Sequence, residues 1–145
     1  MSDATITAAT IIRFSQEMEA RLATYYQALA ERFPEHRTAF TDFARDCEKT
    51  GVQVMRTYQE TVTDALETGY SFAGLSLEAY HIDVTLLPDA DLQAVTDRAL
   101  SVEAQAVAFY EDVAARSAFL LATIPRAFKR AARTHRQRRD ALTEW

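Results

Sequence analysis

This chain of 145 residues contains one cysteine, Cys47, with three glycines, three prolines and one tryptophan. A single cysteine excludes an internal disulfide and any paired Cys-x-x-Cys metal module. So little glycine and proline leaves few turn signals for a protein of many short strands. With 48% hydrophobic and 26% charged residues, the composition fits a folded helical protein, not a disordered one. No apolar run approaches the ~20 residues of a membrane span, and the opening MSDATITAAT has neither a basic n-region nor an apolar h-region. A cytoplasmic protein with no membrane partner is the expectation. The length suits one domain, residues 1–145, large enough to bury a substantial core.

Charge is unevenly distributed. From residue 118 onward there are seven basic residues (Arg126, Lys129, Arg130, Arg133, Arg136, Arg138 and Arg139) against Asp140 and Glu144, a balance of +5. The rest of the chain carries nine basic and nineteen acidic residues, a balance of −10. A basic terminal helix raises the question of nucleic acid, but it lacks interleaved aromatics and belongs to an acidic body that would repel phosphate. Pairing with acidic neighbours in the same bundle, or in a second subunit of a homodimer, is the expectation.

Apolar periodicity predicts an all-α protein with helices at roughly 8–32, 35–67, 90–116 and 125–143. The first shows Ile11/Ile12, Met18/Glu19, Leu22, Tyr25/Tyr26 and Leu29 on one face. Phe33-Pro34 stops it, Asp89 or Asp91 suits the cap of the third helix, and Pro125 suits the first turn of the fourth. Residues 68–89 lose the helical period and keep semi-alternating apolar residues, as expected of a crossover packed along a bundle. His81, alone in that stretch, reads as a loop residue. Gly51 interrupts the second helix at a cost of about 1 kcal/mol relative to Ala, and allows a close helix approach.

The most informative pattern is a repeat. Aligned at an offset of 84, EARLATYYQALAER (Glu19 to Arg32) and EAQAVAFYEDVAAR (Glu103 to Arg116) share Glu, Ala, Tyr, Ala and Arg. In each, a Glu on an apolar face is followed seven residues later by a Tyr, Tyr26 and Tyr110, nearly two helical turns on and therefore on the same side. A weaker echo at an offset of 88 sets Phe40, Ala44, Arg45 and Val54 against Phe128, Ala132, Arg133 and Leu142. Two helical hairpins arising from one are the simplest account. Two buried carboxylates facing each other raise the pKa of at least one unless a cation lies between them. A positive group is therefore expected there.

Two hairpins joined by a long crossover, with a core Glu and a following Tyr in helices one and three, resemble the ferritin-like superfamily, most closely its rubrerythrin-type branch. The resemblance implies a ferritin-like four-helix bundle. In that family a di-iron site takes one Glu from each of helices one and three and a Glu-x-x-His from each of helices two and four. Glu19 and Glu103 match the single-Glu positions. Anchored on Phe40, Phe43 and Ala44, the helix-two positions fall on Cys47 and Thr50; a register shifted by one offers Glu48 and Gly51. Anchored on Phe128, Ala131 and Ala132, the helix-four positions fall on His135 and Arg138. Neither helix keeps the family's Glu-x-x-His, so the resemblance implies a degenerate di-iron site.

The inner volume would then hold Glu19, Glu103, Cys47, Thr50, His135 and Arg138. With His135 protonated and the thiol neutral, that set balances without any metal, and Arg offers a fork suited to a carboxylate. The expected outcome is a non-catalytic binding or regulatory protein without a cofactor. Its site would be a Glu-Arg-His network, Glu19 pairing with Arg138 and the hydroxyls of Tyr26 and Tyr110 going to the two Glu residues. The alternative keeps one metal, iron or zinc, on the O, O, N and S donors of Glu19, Glu103, His135 and Cys47, in a metal-binding oxidoreductase.

Overall fold

The computed structural model describes residues 7–61, 75–117 and 123–145. These form four α-helices and no strand: α1 (Ala8–Arg32), α2 (Arg37–Thr61), α3 (Leu92–Arg116) and α4 (Thr123–Thr143). The all-α class expected from the sequence is observed. The far end expected for the second helix (residues 62–67) and the first part of the crossover (68–74) lie outside the described residues.

Local chemistry sets the helix ends. Thr7 caps α1, its hydroxyl accepting from the Thr10 amide at 3.3 Å, and Asp91 caps α3, accepting from the Ala94 amide at 2.9 Å. At the other end of α1 the Phe33 amide still donates to Leu29 O, and Pro34 opens a short 3₁₀ turn, Pro34–His36. That turn delays α2 by two residues relative to the sequence expectation, because proline fixes φ but supplies no amide for an α-helical bond. The apolar stripe of α1 is buried as anticipated: Ile11, Ile12, Met18, Leu22, Tyr25, Tyr26 and Leu29 join one core with Phe40, Ala44 and Val54 of α2, Val102, Phe109 and Val113 of α3, and Phe128, Ala132 and Leu142 of α4. Each fully buried side chain of this size contributes about 1.5–3 kcal/mol.

α1 packs against α2, α3 against α4, and α2 against α4. Between α1 and α3 the contacts run in opposite sequence order: Phe14 meets Phe109 at 4.9 Å, while Tyr25 donates to Val95 O at 3.1 Å. These two helices are antiparallel. α2 and α4 are antiparallel as well, because His36, Phe40 and Phe43 stack around Trp145, whereas Val54 and Thr57 adjoin Ala127. α2 and α3 therefore point the same way, and the chain must travel the length of the bundle between them.

Residues 75–91 make that journey along α3. Tyr80 donates to Asp112 at 2.7 Å, Gln105 to His81 O at 3.3 Å, Arg98 to Asp83 at 3.0 Å, and Arg32 to Leu87 O at 2.6 Å. Leu75 and Ile82 are buried in the core, so this part of the crossover belongs to the fold, and His81 is exposed as expected.

The basic residues of α4 divide into two groups. Arg136 pairs with Glu111, Arg138 with Glu103, and Arg139 lies 3.9 Å from Asp140. Arg126, Lys129, Arg130 and Arg133 are exposed and make no ion pair among the described residues. Pairing within the bundle, one of the two expected arrangements, is seen for Arg136 and Arg138 and is not seen among the described residues for the second group.

Candidate functional site

The two repeated Glu residues meet at the centre of the four helices. Glu19 is 1% exposed and Glu103 0%, each placed inward by its position on an apolar stripe. Each carboxylate receives the tyrosine of the other copy: Tyr26 donates to Glu103 Oε2 at 2.5 Å, and Tyr110 donates to Glu19 Oε2 at 2.6 Å. Burial and the adjacent carboxylate push both phenols well above their ordinary range, so they act as hydrogen-bond donors and not as phenolates.

The expected positive group is His135, from α4. Its Nε2 lies 2.7 Å from Glu19 Oε2 and its Nδ1 2.5 Å from Glu103 Oε1. With a carboxylate at each nitrogen the ring is suited to donate from both as the imidazolium. Arg138 Nη1 lies 3.2 Å from Nδ1; as both are then donors, that approach is a contact between cations held by Glu103, not a hydrogen bond. Burial alone would lower its pKa, but the charges of Glu19 and Glu103 outweigh that and raise it from 6.5 to about 9. Burial alone would likewise raise the pKa of Glu103; His135 and Arg138 outweigh it and bring the carboxyl down from 4.5 to about 2.

Arg138, one turn after His135, donates from Nη1 to Glu103 Oε2 at 3.1 Å. The sequence reading paired this guanidinium with Glu19; the structure gives it to Glu103, because α3 and not α1 faces this side of α4. Its carbon lies 5.8 Å from the ring centroids of both Tyr26 and Phe43, an aromatic seat suited to a weakly hydrated cation. The four charges sum to zero. Three atoms in the cluster have no hydrogen-bond partner among the described residues: Glu19 Oε1, and Arg138 Nε and Nη2.

The helix-two candidates separate cleanly. Cys47 is buried, and burial, opposed by Arg138 and reinforced by Glu19 and Glu103, pushes its thiol well above the usual range. A thiol so shifted is a small neutral side chain and a poor nucleophile. Thr50 is buried on the same face as expected, beside Ala127, Arg130 and Ala131, and among the described residues the hydrogen bonds joining the cluster run through Glu19, Tyr26, Glu103, Tyr110, His135 and Arg138. Glu48, the alternative register, is exposed, so the inward register is that of Cys47 and Thr50. The apolar anchors Phe40 and Ala44 enforce it, since moving Glu48 inward would carry both outward.

Gly51 is buried against Glu19: a Cβ there would lie 3.5 Å from Glu19 Cβ, an ordinary contact. Beside it, a groove of about 330 Å³ between α1 and α2 is lined by Glu19, Cys47, Glu48 and Gly51 with the amide side chains of Gln16 and Gln27.

One feature escaped the sequence reading. Ser15 lies 2.6 Å from the Tyr110 hydroxyl, and since that hydroxyl donates to Glu19 it accepts from Ser15. The signal was available, because a polar residue four before Glu19 shares its inward face. Trp145 stacks on His36 at 4.6 Å and packs on Phe40 and Phe43, closing the end of the bundle near Arg138.

This donor set does not fit a two-metal centre. Both nitrogens of the only histidine in the cluster are taken by carboxylates, and a fixed guanidinium stands where a second cation would be repelled. Among the described residues no group of three or more His, Cys, Asp and Glu is arranged to hold a metal ion. The chain's one Glu-x-x-His, Glu78 to His81, lies in the crossover with both side chains exposed, away from the cluster. No helix among the described residues is long and apolar enough to cross a membrane. No protein-family model matches the chain, and no curated protein or solved structure matches it.

Proposed function

We propose that the chain is a ferritin-like bundle related to rubrerythrins whose di-iron ligands are mostly replaced, and that it works as a non-catalytic binding or regulatory protein. One observation carries this reading: His135 bridges Glu19 and Glu103 with both ring nitrogens, while Arg138 holds Glu103. One protein cation thus stands between, and a second beside, the carboxylates that in the family it resembles face metal ions. Supporting it are the antiparallel pairing of α1 with α3, the crossover along α3 and the 84-residue offset of the Glu–Tyr repeat. A homodimer is part of this reading, as a family expectation.

The test is elemental mass spectrometry on untagged protein grown with supplemented iron and zinc, normalised per chain. The expected result is less than about one metal ion per ten chains. About two irons per chain would overturn the proposal and restore a di-iron oxidoreductase.

A second reading keeps one iron or zinc ion on Glu19, Cys47, Glu103 and His135. The observation favouring it is that Glu19 Oε1 has no hydrogen-bond partner among the described residues while Cys47 lies beside the same carboxylate. It requires His135 to surrender a carboxylate and Cys47 to lose its proton. About one ion per chain, lost in His135→Ala, would establish it.

A further inference from the structure

We infer that the outer face of α2 and α4 binds the phosphate backbone of a nucleic acid, without reading its sequence. The inference does not depend on the role of the buried cluster. Arg126, Arg130 and Arg133 follow one another at helical spacings of four and three, and Lys129 lies beside them; all four are exposed and none is ion-paired among the described residues. On the neighbouring helix, Gln53 and Thr57 share a crevice with Arg130, and the exposed Lys49 and Arg56 flank Gln53. The described part of this patch thus gathers six basic side chains and no acidic one. Of the acidic residues on or next to these two helices, Asp42, Asp46, Asp140 and Glu144 lie toward the opposite end, where Arg45 already pairs with Asp42, Glu48 faces the groove between α1 and α2, and the side chain of Glu60 lies outside the described residues.

A patch of this kind selects its partner by what it lacks. The described residues with large exposed apolar side chains are Val52, Leu87 and Trp145, and none belongs to the patch. A protein interface draws most of its energy from buried aromatic or aliphatic anchors, and a membrane-surface helix from an apolar face. Neither is present. What remains is charge: four guanidiniums suited to two-pronged contacts with phosphate, and two ammonium groups. The acidic body does not cancel this, because exposed charges beyond about 10 Å are largely screened at 0.1 M salt.

The footprint sets the expected behaviour. Arg126 to Arg133 spans about 10 Å of helix, which covers about three phosphates of one strand. With Lys49 and Arg56 adding a contact, log affinity should fall with log salt at a slope of about −3 to −4, weakening binding about 100-fold between 50 and 200 mM.

The experiment is fluorescence anisotropy of a labelled 20-base-pair mixed-sequence DNA duplex titrated with the full chain at 20–200 mM salt. In parallel, co-sedimentation with phosphatidylserine vesicles and sedimentation velocity of the protein alone are measured. Binding with the stated slope is expected, unchanged by scrambling the duplex. Arg130→Glu with Arg133→Glu should weaken it at least tenfold at 50 mM salt, as should the independent pair Arg126→Glu with Lys129→Glu. Arg98→Glu, on the far side and paired with Asp83, should leave it unchanged. No binding at 20 mM salt with about 200 μM protein would overturn the inference. So would equal binding by both variant pairs, salt-sensitive self-association without duplex binding, or binding to vesicles alone.

Discussion

His135 should make the protein lose stability as pH rises across the mildly alkaline range. The group is fully buried with a folded pKa of about 9 against 6.5, so the fold binds its proton more tightly than the unfolded chain does. Its contribution is complete below pH 6.5 and is lost as pH rises through 9. The linked free energy is about 3 kcal/mol, a substantial share of a small domain's 5–15 kcal/mol. Urea unfolding followed by circular dichroism at half-unit steps from pH 5.5 to 9 reports it directly. A fall of about 3 kcal/mol is expected, its midpoint between 7 and 8.5. The raised thiol of Cys47 acts in the same direction only above its ordinary value of 9.0, so the two are separable by pH. In His135→Gln the protein should start less stable, with two carboxylates facing each other, and the fall should disappear. Flat wild-type stability over this range would refute the imidazolium assignment, as would a slope that persists in His135→Gln.

Other consequences follow from the same contacts. Glu103→Ala should cost about 3–5 kcal/mol, because it leaves the buried Arg138 without its carboxylate and removes the acceptor of Tyr26, whereas Glu19→Ala should cost about 1–3 kcal/mol, removing the acceptor of Tyr110 and one of the two carboxylates on His135. Urea midpoints of the two variants, compared at pH 6, test that order, and a larger loss at Glu19 would return Arg138 to the partner expected from sequence. Gly51→Ala should raise stability by about 1 kcal/mol, since the added methyl meets Glu19 only at ordinary contact distance; a lower melting temperature would show that the two helices do not tolerate it.

Much of this architecture could be read from periodicity alone. The inward stripe of α1, the stop at Phe33-Pro34, the cap at Asp91 and the packed crossover each follow from a local rule that tertiary contacts do not overturn. The Glu–Tyr repeat also placed Glu19 and Glu103 at the centre, because burying either carboxylate alone is unfavourable. What could not be read was which donor meets which acceptor. Tyr26 goes to the Glu of the other repeat and Arg138 to Glu103, outcomes set by the antiparallel setting of α1 on α3 and by the rotation of α4. Spacing within a helix carries neither. The register of α2 lay between the two cases: Cys47 and Glu48 are neighbours in sequence, and only the burial of Phe40 and Ala44 decides that the thiol points inward.

The crossed pairing also explains why the cluster holds the halves of the protein together. The α1–α2 hairpin brings a carboxylate, Glu19, whose described partners Tyr110 and His135 both belong to α3 and α4. The α3–α4 hairpin brings Glu103, His135 and Arg138, which alone would carry a net positive charge and leave His135 Nε2 without its second carboxylate. Neither hairpin can bury its own share satisfied, so the charges become neutral and hydrogen-bonded only when the two dock. A shift of α1 along α3 by one turn, about 5.4 Å, would separate Tyr26 from Glu103 and Tyr110 from Glu19 at once. It would cost more than either contact alone, since each stranded carboxylate would remain out of water. An apolar core of the same volume could equal this stability, but it would tolerate such a slip. The polar cluster therefore specifies the register of the two hairpins, with protein cations neutralising its carboxylates.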